Sequence, residues 1–453
     1  MENSNRRKLA RPDIFTFIHA ADIHLDSPLK GLEQYDGAPV QEIRRAPRNG
    51  LVNLVDLAIQ QRVNFVLIAG DLYDGDWKDF NTPLFFVLQA SRLREAGIPL
   101  FLIAGNHDAR NRMTRSMQLP DNVVFFSSSA PQSVQLSQLD VAIHGQSFAT
   151  AAVPEDLSAG YPAAVKGCFN IGMLHSSADG RAGHDTYAPC SVEGLQLKGY
   201  DYWALGHIHQ REILSLDPFI SFSGNIQGRH IRETGPKGCW LVTVADDQTV
   251  AAQFQALDVM RWEIAAVNIS SVNDGDQLLE LVHQELQRLH IQSNGLPLAV
   301  RVELHGQTRL HRELEAYRDH YINQVRGVAI DAGRGELWIE KIKFLTIDSS
   351  FQQAFRPADE SAMGELTELF AQLRREPNRL LEIGVDLDSL LKKLPPELRP
   401  GIDAGNDQHA WLTAVLNQAE SWLLNRMQNP TAVVPIPSPK RSVSPRGSKK
   451  SSP

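Results

Sequence analysis

Five short apolar runs in the first half of the chain each end abruptly in polar residues. IFTFIHA stops at Asp22, VNFVLIA at Gly70-Asp71, and IPLFLIA at Gly105-Asn106; CFNIGML runs into His175 and DYWAL into Gly206-His207. Continuous apolar runs of this length suit strands buried on both faces. Between them, Leu51, Leu54, Val55, Ala58 and Ile59 follow helical spacing, and so do Leu84, Val87, Leu88 and Leu93. From Val123 to Phe148 the runs VVFFS, VQL and DVAIHG, separated by polar turns, predict a β meander. Strands without intervening helices in an otherwise alternating chain predict two packed sheets with helices outside, over residues 14–257.

A second pattern begins near Val259. RWEIAAVNI predicts a strand, Asp276 to His290 a helix, LAVRVEL a strand, Arg309 to Val328 a helix and ELWIEKIKFL a strand. This string predicts a small α+β domain over residues 258–350. Residues 351–428 read as a helical region. Leu366, Leu369, Phe370 and Leu373 fall on one apolar face, and Leu387, Leu390, Leu391 and Leu394 suggest another. Residues 1–13 and the Pro/Ser-rich basic tail 429–453 are expected to be disordered.

The chain has 453 residues, which suits two or three domains, with 42% hydrophobic and 22% charged residues, as in ordinary globular proteins. No apolar run reaches the roughly 20 residues that span a bilayer, and no secretory leader is visible, so a cytoplasmic protein is expected. Three cysteines, none in a CxxC pair, cannot make a disulfide framework and read as small apolar filler. The net charge of −8 gives no support to a nucleic-acid coat protein. Any DNA affinity must come from a local patch or from bound metal. The chain has no P-loop motif, hence no evident ATPase of its own.

Strand ends are where α/β sheets place ligand sites. Here they carry Asp22 and His24, Asp71, the run Gly105-Asn106-His107-Asp108, His175, and then His207 and His209. Mixed imidazole and carboxylate donors without thiolate suit Mn²⁺, Fe²⁺ or Zn²⁺. Seven ligands are too many for one ion and right for two that share a carboxylate, an arrangement that serves displacement at phosphorus. His19, His144 and His230 read as packing residues. Arg229 and Arg232, in a glycine-rich stretch, are candidate phosphate contacts. The basic tail could add non-specific attraction.

The series DxH, GDLYD, GNHD, H and GHxH resembles the calcineurin-like metallophosphoesterase superfamily. FIHAADIHLDSPL, AGDLYD, AGNHD, HDTYAPC, LGHIH and SGNIQGRHIRETGPKGC resemble its DNA-repair branch of SbcD-like and YhaO-like exonuclease subunits. The resemblance implies a four-layer α/β/β/α sandwich with a capping domain. It implies one ion on Asp22, His24, Asp71 and His209, and a second on Asp71, Asn106, His175 and His207. His107 would face the scissile phosphate, with Asp108 orienting its imidazole, and His184 would line the substrate cleft. The activity implied is a Mn²⁺-dependent DNA repair exonuclease. It would work with an SbcC/YhaN-like coiled-coil ATPase docked on the C-terminal helices, and the resemblance allows a homodimer. A nucleotide or phosphomonoester substrate is the alternative for the same metals, and a DNA-end scaffold with vestigial chemistry is a third reading.

Overall fold

A computed structural model of the chain describes residues 14–27, 40–74, 81–110, 118–178, 187–349, 362–376, 379, 412–413, 416, 419–420 and 423. Residues 1–349 form one compact unit and residues 350–453 another. The larger unit opens with β1 (Ile14–Ala20), α1 (Val40–Gln61), β2 (Phe65–Ala69), α2 (Asn81–Glu95) and β3 (Leu100–Ile103). Strands β1, β2 and β3 are mutually parallel, and β4 (Val123–Phe125) adds beside β3. On the other side of β1 lie the antiparallel β11 (Gly238–Ala245) and β12 (Val250–Ala256), giving the order β12-β11-β1-β2-β3-β4.

The second six-stranded sheet runs β5 (Gln132–Leu136), β6 (Val141–Gly145), β7 (Phe169–His175), β8 (Tyr202–Gly206), β10 (Phe219–Phe222) and β9 (Glu212–Leu216). The three strands expected as one meander are therefore split. VVF closes the edge of the first sheet, and only QSVQL and VAIHG pair as a hairpin in the second. The short linker between β4 and β5 crosses the sandwich, which a hydrophobic pattern cannot reveal.

The two sheets bury a common core of Phe15, Phe17, Phe65, Phe101, Phe169, Ile171 and Tyr202. Outside the first sheet, α1 contributes Leu51, Leu54, Val55 and Ala58, and α2 contributes Phe86, Ala90 and Leu93. Outside the second, Leu195 of α3 (Val192–Leu197) joins Trp203 and Ile220. This is the four-layer α/β/β/α arrangement. On α2, however, Leu84 and Leu88 are 61% and 58% exposed. The buried stripe is Thr82, Pro83, Phe86, Gln89, Ala90 and Leu93, one step round the helix from the expected face.

Phe17 has no solvent exposure, stacks on Phe65 at 5.0 Å and meets Tyr202 edge-on at 5.1 Å across the sheets. Truncating it leaves a cavity at the middle of the sandwich. Phe17→Ala is expected to lower stability by about 3–5 kcal/mol, read from urea denaturation. Nearer the strand ends, His19 ties the layers with polar bonds. Its Nε2 donates to Leu205 O at 3.1 Å, so Nδ1 accepts from the Tyr202 hydroxyl at 2.9 Å. Burial, opposed only by the Leu205 carbonyl, pushes its pKa down to about 3, which keeps the ring neutral. His19 is thus a packing residue.

The chain then builds β13 (Arg261–Asn268), α4 (Gly275–Gln292), β14 (Leu298–Thr308), α5 (His311–Ala316), α6 (Arg318–Ala332) and β15 (Leu337–Asp348). The three strands are parallel with β14 central, and the helices bury Leu278, Val282, Leu286, Leu314, Tyr321 and Val325 on one face of the sheet. Asp274 caps α4 by accepting from Gln277 N. The helix expected over 309–328 is two, because Tyr317 leaves helical geometry (φ −118°, ψ 39°) and so lets both Leu314 and Tyr321 reach the core.

In the second unit, α7 (Ala362–Arg375) buries Phe370 and Leu373 with Leu412 and Leu416. Leu369, expected on the same face, is 41% exposed. Residues 387–394 lie outside the described residues. Among the described residues, no helix is long and apolar enough to cross a membrane.

Candidate metal centre

The expected ligands meet where the strands of both sheets end. Asp22 and His24 follow β1, Asp71 follows β2, Asn106 and His107 follow β3, His175 closes β7, and His207 and His209 follow β8. Asp22, His24, Asp71 and His207 all have positive φ, at 52°, 47°, 51° and 100°. Non-glycine residues rarely adopt this geometry, and its clustering at one site is a mark of functional constraint. The framework enforces it: Asp22 N donates to Gly70 O and His24 N to Asp71 O, both at 3.0 Å, and His207 N to Asp22 Oδ2 at 3.0 Å. The glycines of the motifs have a steric reason. A Cβ at Gly70 would strike His175 Nδ1, and one at Gly105 would strike Asp71 Oδ1.

Among the described residues, donor atoms converge in two groups beside Asp71, with His24, Asp74 and His107 making a third. His24 Nε2 and His209 Nε2 are 3.1 Å apart, with Asp22 Oδ1 at 4.0 and 3.8 Å from them. His175 Nε2 lies 3.0 Å from Asn106 Oδ1 and 3.5 Å from Asp71 Oδ2. The same Asp71 oxygen is 3.8 Å from His24 Nε2, so this carboxylate stands between the groups. His175 Nδ1 donates to Ala69 O at 2.9 Å, which leaves its neutral form with a lone pair aimed at the Asn106 oxygen. Two lone pairs facing each other is unfavourable without a cation. Ligands about 2.0–2.2 Å from one divalent ion lie roughly 3–3.5 Å apart, close to the spacings here. The donor set therefore fits divalent metal. The His207 ring packs edge-on to His175 at 5.2 Å and to Tyr187 at 5.4 Å.

The electrostatics agree. Burial pushes Asp22 up, against the pull of His209 and His175. Burial would raise Asp71 too, but His175, His24 and His107 outweigh it and hold this carboxyl well below the usual range. Burial, then the Arg229 charge, lowers His24 to about 3, so it offers a neutral nitrogen. Burial opposes protonation of His175, yet Asp71 and Asp22 lift it to about 9. The negative charge that attracts this proton would equally attract a cation.

Asp108 does not orient His107. Its carboxylate accepts from Tyr73 N at 2.8 Å and from Leu72 N and Gly105 N at 3.1 Å each, pinning the two ligand loops together. Burial and then Asp71 raise it to about 7. The partner of the His107 imidazole is Asp74, with Nδ1 2.7 Å from Oδ1. That contact raises the His107 pKa against burial. Asp74 also accepts from Ser27 Oγ at 2.7 Å. Glu233 plays the matching part for a second imidazole, accepting from His209 Nδ1 at 2.7 Å. Both residues lie inside the quoted motifs GDLYD and RHIRETG, and only folding shows what they touch.

Arg229 reaches the centre, but its guanidinium lies against carboxylates, Nη2 at 3.4 Å from Glu233 Oε1 and Nη1 at 3.9 Å from Asp74 Oδ1. Arg232 is exposed on the same loop. His184 lies outside the described residues. His144 is held by Ser133 and Asn170, and His230 lies 3.4 Å from Glu233 Oε1.

Residues 15–211 match the calcineurin-like phosphoesterase model, and residues 262–347 match the middle domain of metallophosphoesterase YhaO. The metallophosphoesterase YhaO of Bacillus subtilis is 37% identical over 295 residues, spanning 64% of this chain and 72% of that protein. The chain belongs to the YhaO-type calcineurin-like metallophosphoesterases. It is therefore a metal-dependent hydrolase of phosphate esters. The DNA double-strand break repair proteins Mre11 of Sulfurisphaera tokodaii and Sulfolobus acidocaldarius are more distant, at 24% and 25% identity. Those matches cover 57% and 67% of this chain, and 66% and 79% of the relatives.

Proposed function

We propose that this YhaO-type enzyme is a Mn²⁺-dependent DNA phosphodiesterase, acting as a repair exonuclease together with an SbcC/YhaN-like coiled-coil ATPase. The observation that carries the reading is the Asp71 carboxylate between two groups of inward-facing donors, with His107 held beside them by Asp74. Asp22, His24, Asp71 and His209 would hold one ion, and Asp71, Asn106, His175 and His207 the other. Bound there, the ions would supply a hydroxide near neutral pH and neutralise charge on the phosphoryl oxygens. The chain's own residues do the rest. With Nδ1 committed to Asp74, His107 keeps Nε2 for the substrate and can hold a proton for the leaving oxygen. Asp108 keeps the GDLY and GNHD loops in register, so the imidazole stays within reach of the carboxylate cluster. The DNA substrate is carried over from the Mre11 relatives, and the mixed N/O donor set supports Mn²⁺. Three cysteines, none in a CxxC pair, suit a reducing cytoplasm.

Metal-stripped protein is expected to leave end-labelled linear duplex DNA intact, and Mn²⁺ is expected to restore shortening from the ends. A protein that hydrolyses a nucleotide or p-nitrophenyl phosphate but leaves DNA untouched, alone and with the ATPase, would replace this reading with the small-substrate one.

A further inference from the structure

Residues 224–237 do two jobs at once. At one end, Glu233 is 5% exposed and receives the His209 imidazole on Oε1 at 2.7 Å. Its Oε2 accepts from Asn225 Nδ2 at 2.8 Å and from the Arg229 amide at 2.7 Å, so the carboxylate has no rotational freedom. Lys237, equally buried, donates from Nζ to the His209 carbonyl at 3.1 Å. One metal-ligand candidate is therefore gripped at both its ring and its backbone by this segment.

At the other end the same segment grips the start of the βαβαβ layer. Gln227, 2% exposed, donates to Met260 O at 2.8 Å and accepts from Val259 N at 3.0 Å. Trp262, on β13 and without solvent exposure, donates from its indole to Gly228 O at 3.0 Å, and its own carbonyl accepts from Gly235 N at 3.1 Å. Trp262 packs with Ile231, Met260, Ala299 and Ala46 of α1 in one apolar seam. Gly228 joins the halves sterically, since a Cβ there would press on both Glu233 O and Trp262 Cδ1. The Trp262 indole and the His209 imidazole are thus connected through buried hydrogen bonds and one short stretch of backbone.

We infer that Glu233 is a positioning residue for His209, and that the segment it belongs to couples the ion held by His209 to the seating of the βαβαβ layer. The inference rests on the two-ion reading above. A carboxylate behind a ligating imidazole fixes tautomer and ring direction, and its loss typically weakens metal binding by roughly 10–100-fold. Coupling between two sites is reciprocal: if the seam steadies His209, the ion on His209 steadies the seam.

The test uses the full chain, stripped of metal and titrated with Mn²⁺, bound ion being counted by calorimetry and by electron paramagnetic resonance. Glu233→Ala is expected to weaken one of the two ions by roughly 10–100-fold and leave the other near its wild-type affinity. Trp262→Phe removes the indole donor and some packing volume at the seam and is expected to weaken the same ion by a smaller factor. In unmutated protein, Mn²⁺ loading is expected to slow amide exchange in residues 257–263, a readout independent of any variant's folding. Wild-type affinities for both ions in Glu233→Ala would overturn the role of Glu233. Unchanged exchange at 257–263 in fully loaded wild type would overturn the coupling. A wild-type chain that takes up no Mn²⁺ would instead sink the two-ion reading itself.

Discussion

Asp71→Asn is expected to cost ~10³-fold or more in hydrolysis of a phosphodiester such as bis-p-nitrophenyl phosphate, and to leave the chain unable to hold both ions. Asparagine keeps the shape and can still accept the His107 amide, which Asp71 Oδ1 does at 2.9 Å. What changes is Oδ2, 3.5 Å from His175 Nε2 and 3.8 Å from His24 Nε2. An NH₂ group there, or a neutral oxygen, removes the charge common to both donor groups. A metal acting as Lewis acid is worth several kcal/mol to the transition state, and each 1.36 kcal/mol is about tenfold in rate, which gives the figure. Because the side chain is buried and isosteric, circular dichroism should remain that of wild type. A variant that still bound two equivalents of Mn²⁺ and turned over normally would remove Asp71 from its bridging position.

His107→Ala should separate chemistry from metal. The ring lies with His24 and Asp74 rather than in the two donor groups beside Asp71; its Nδ1 is held by Asp74 and its side chain is 32% exposed. Loss of a positioned acid costs about 10²–10⁴-fold. We expect kcat to fall within that range while Mn²⁺ stoichiometry is unchanged. Asp74→Asn should give a smaller fall in kcat, again with metal retained, because the imidazole stays present but loses the anion that fixes its tautomer. Loss of an ion in His107→Ala would show that this ring is a ligand after all.

The convergence of the candidate metal ligands was legible because each follows a strand-like run that ends at a glycine or a charged residue, and parallel strands deliver such ends to one edge. The partners of those ligands were not. Asp108 is adjacent to His107 in sequence, which suggested an interaction, yet the turn at Gly105 sends its carboxylate back to the Leu72 and Tyr73 amides. Asp74 reaches His107 instead, over a separation of 33 positions that no local pattern encodes. On α2, Leu84 and Leu88 match helical spacing as well as Phe86, Ala90 and Leu93 do, so periodicity alone could not choose the buried stripe. Packing against α1 chose it. Similarly, β4 and β5 are both short and without a buried residue, and pattern could not show that they belong to different sheets.

The left-handed backbone at Asp22, His24, Asp71 and His207 bears on how the protein responds to heat. Those conformations are held by main-chain and carboxylate hydrogen bonds within the polypeptide, so they belong to the folded state that an ion would bind and are lost on unfolding. Ion uptake, favouring the folded chain over the unfolded one, then acts as ordinary ligand linkage. It should raise the melting temperature by mass action, equivalent to about 2.7 kcal/mol at a hundredfold excess over Kd, without sharpening the transition.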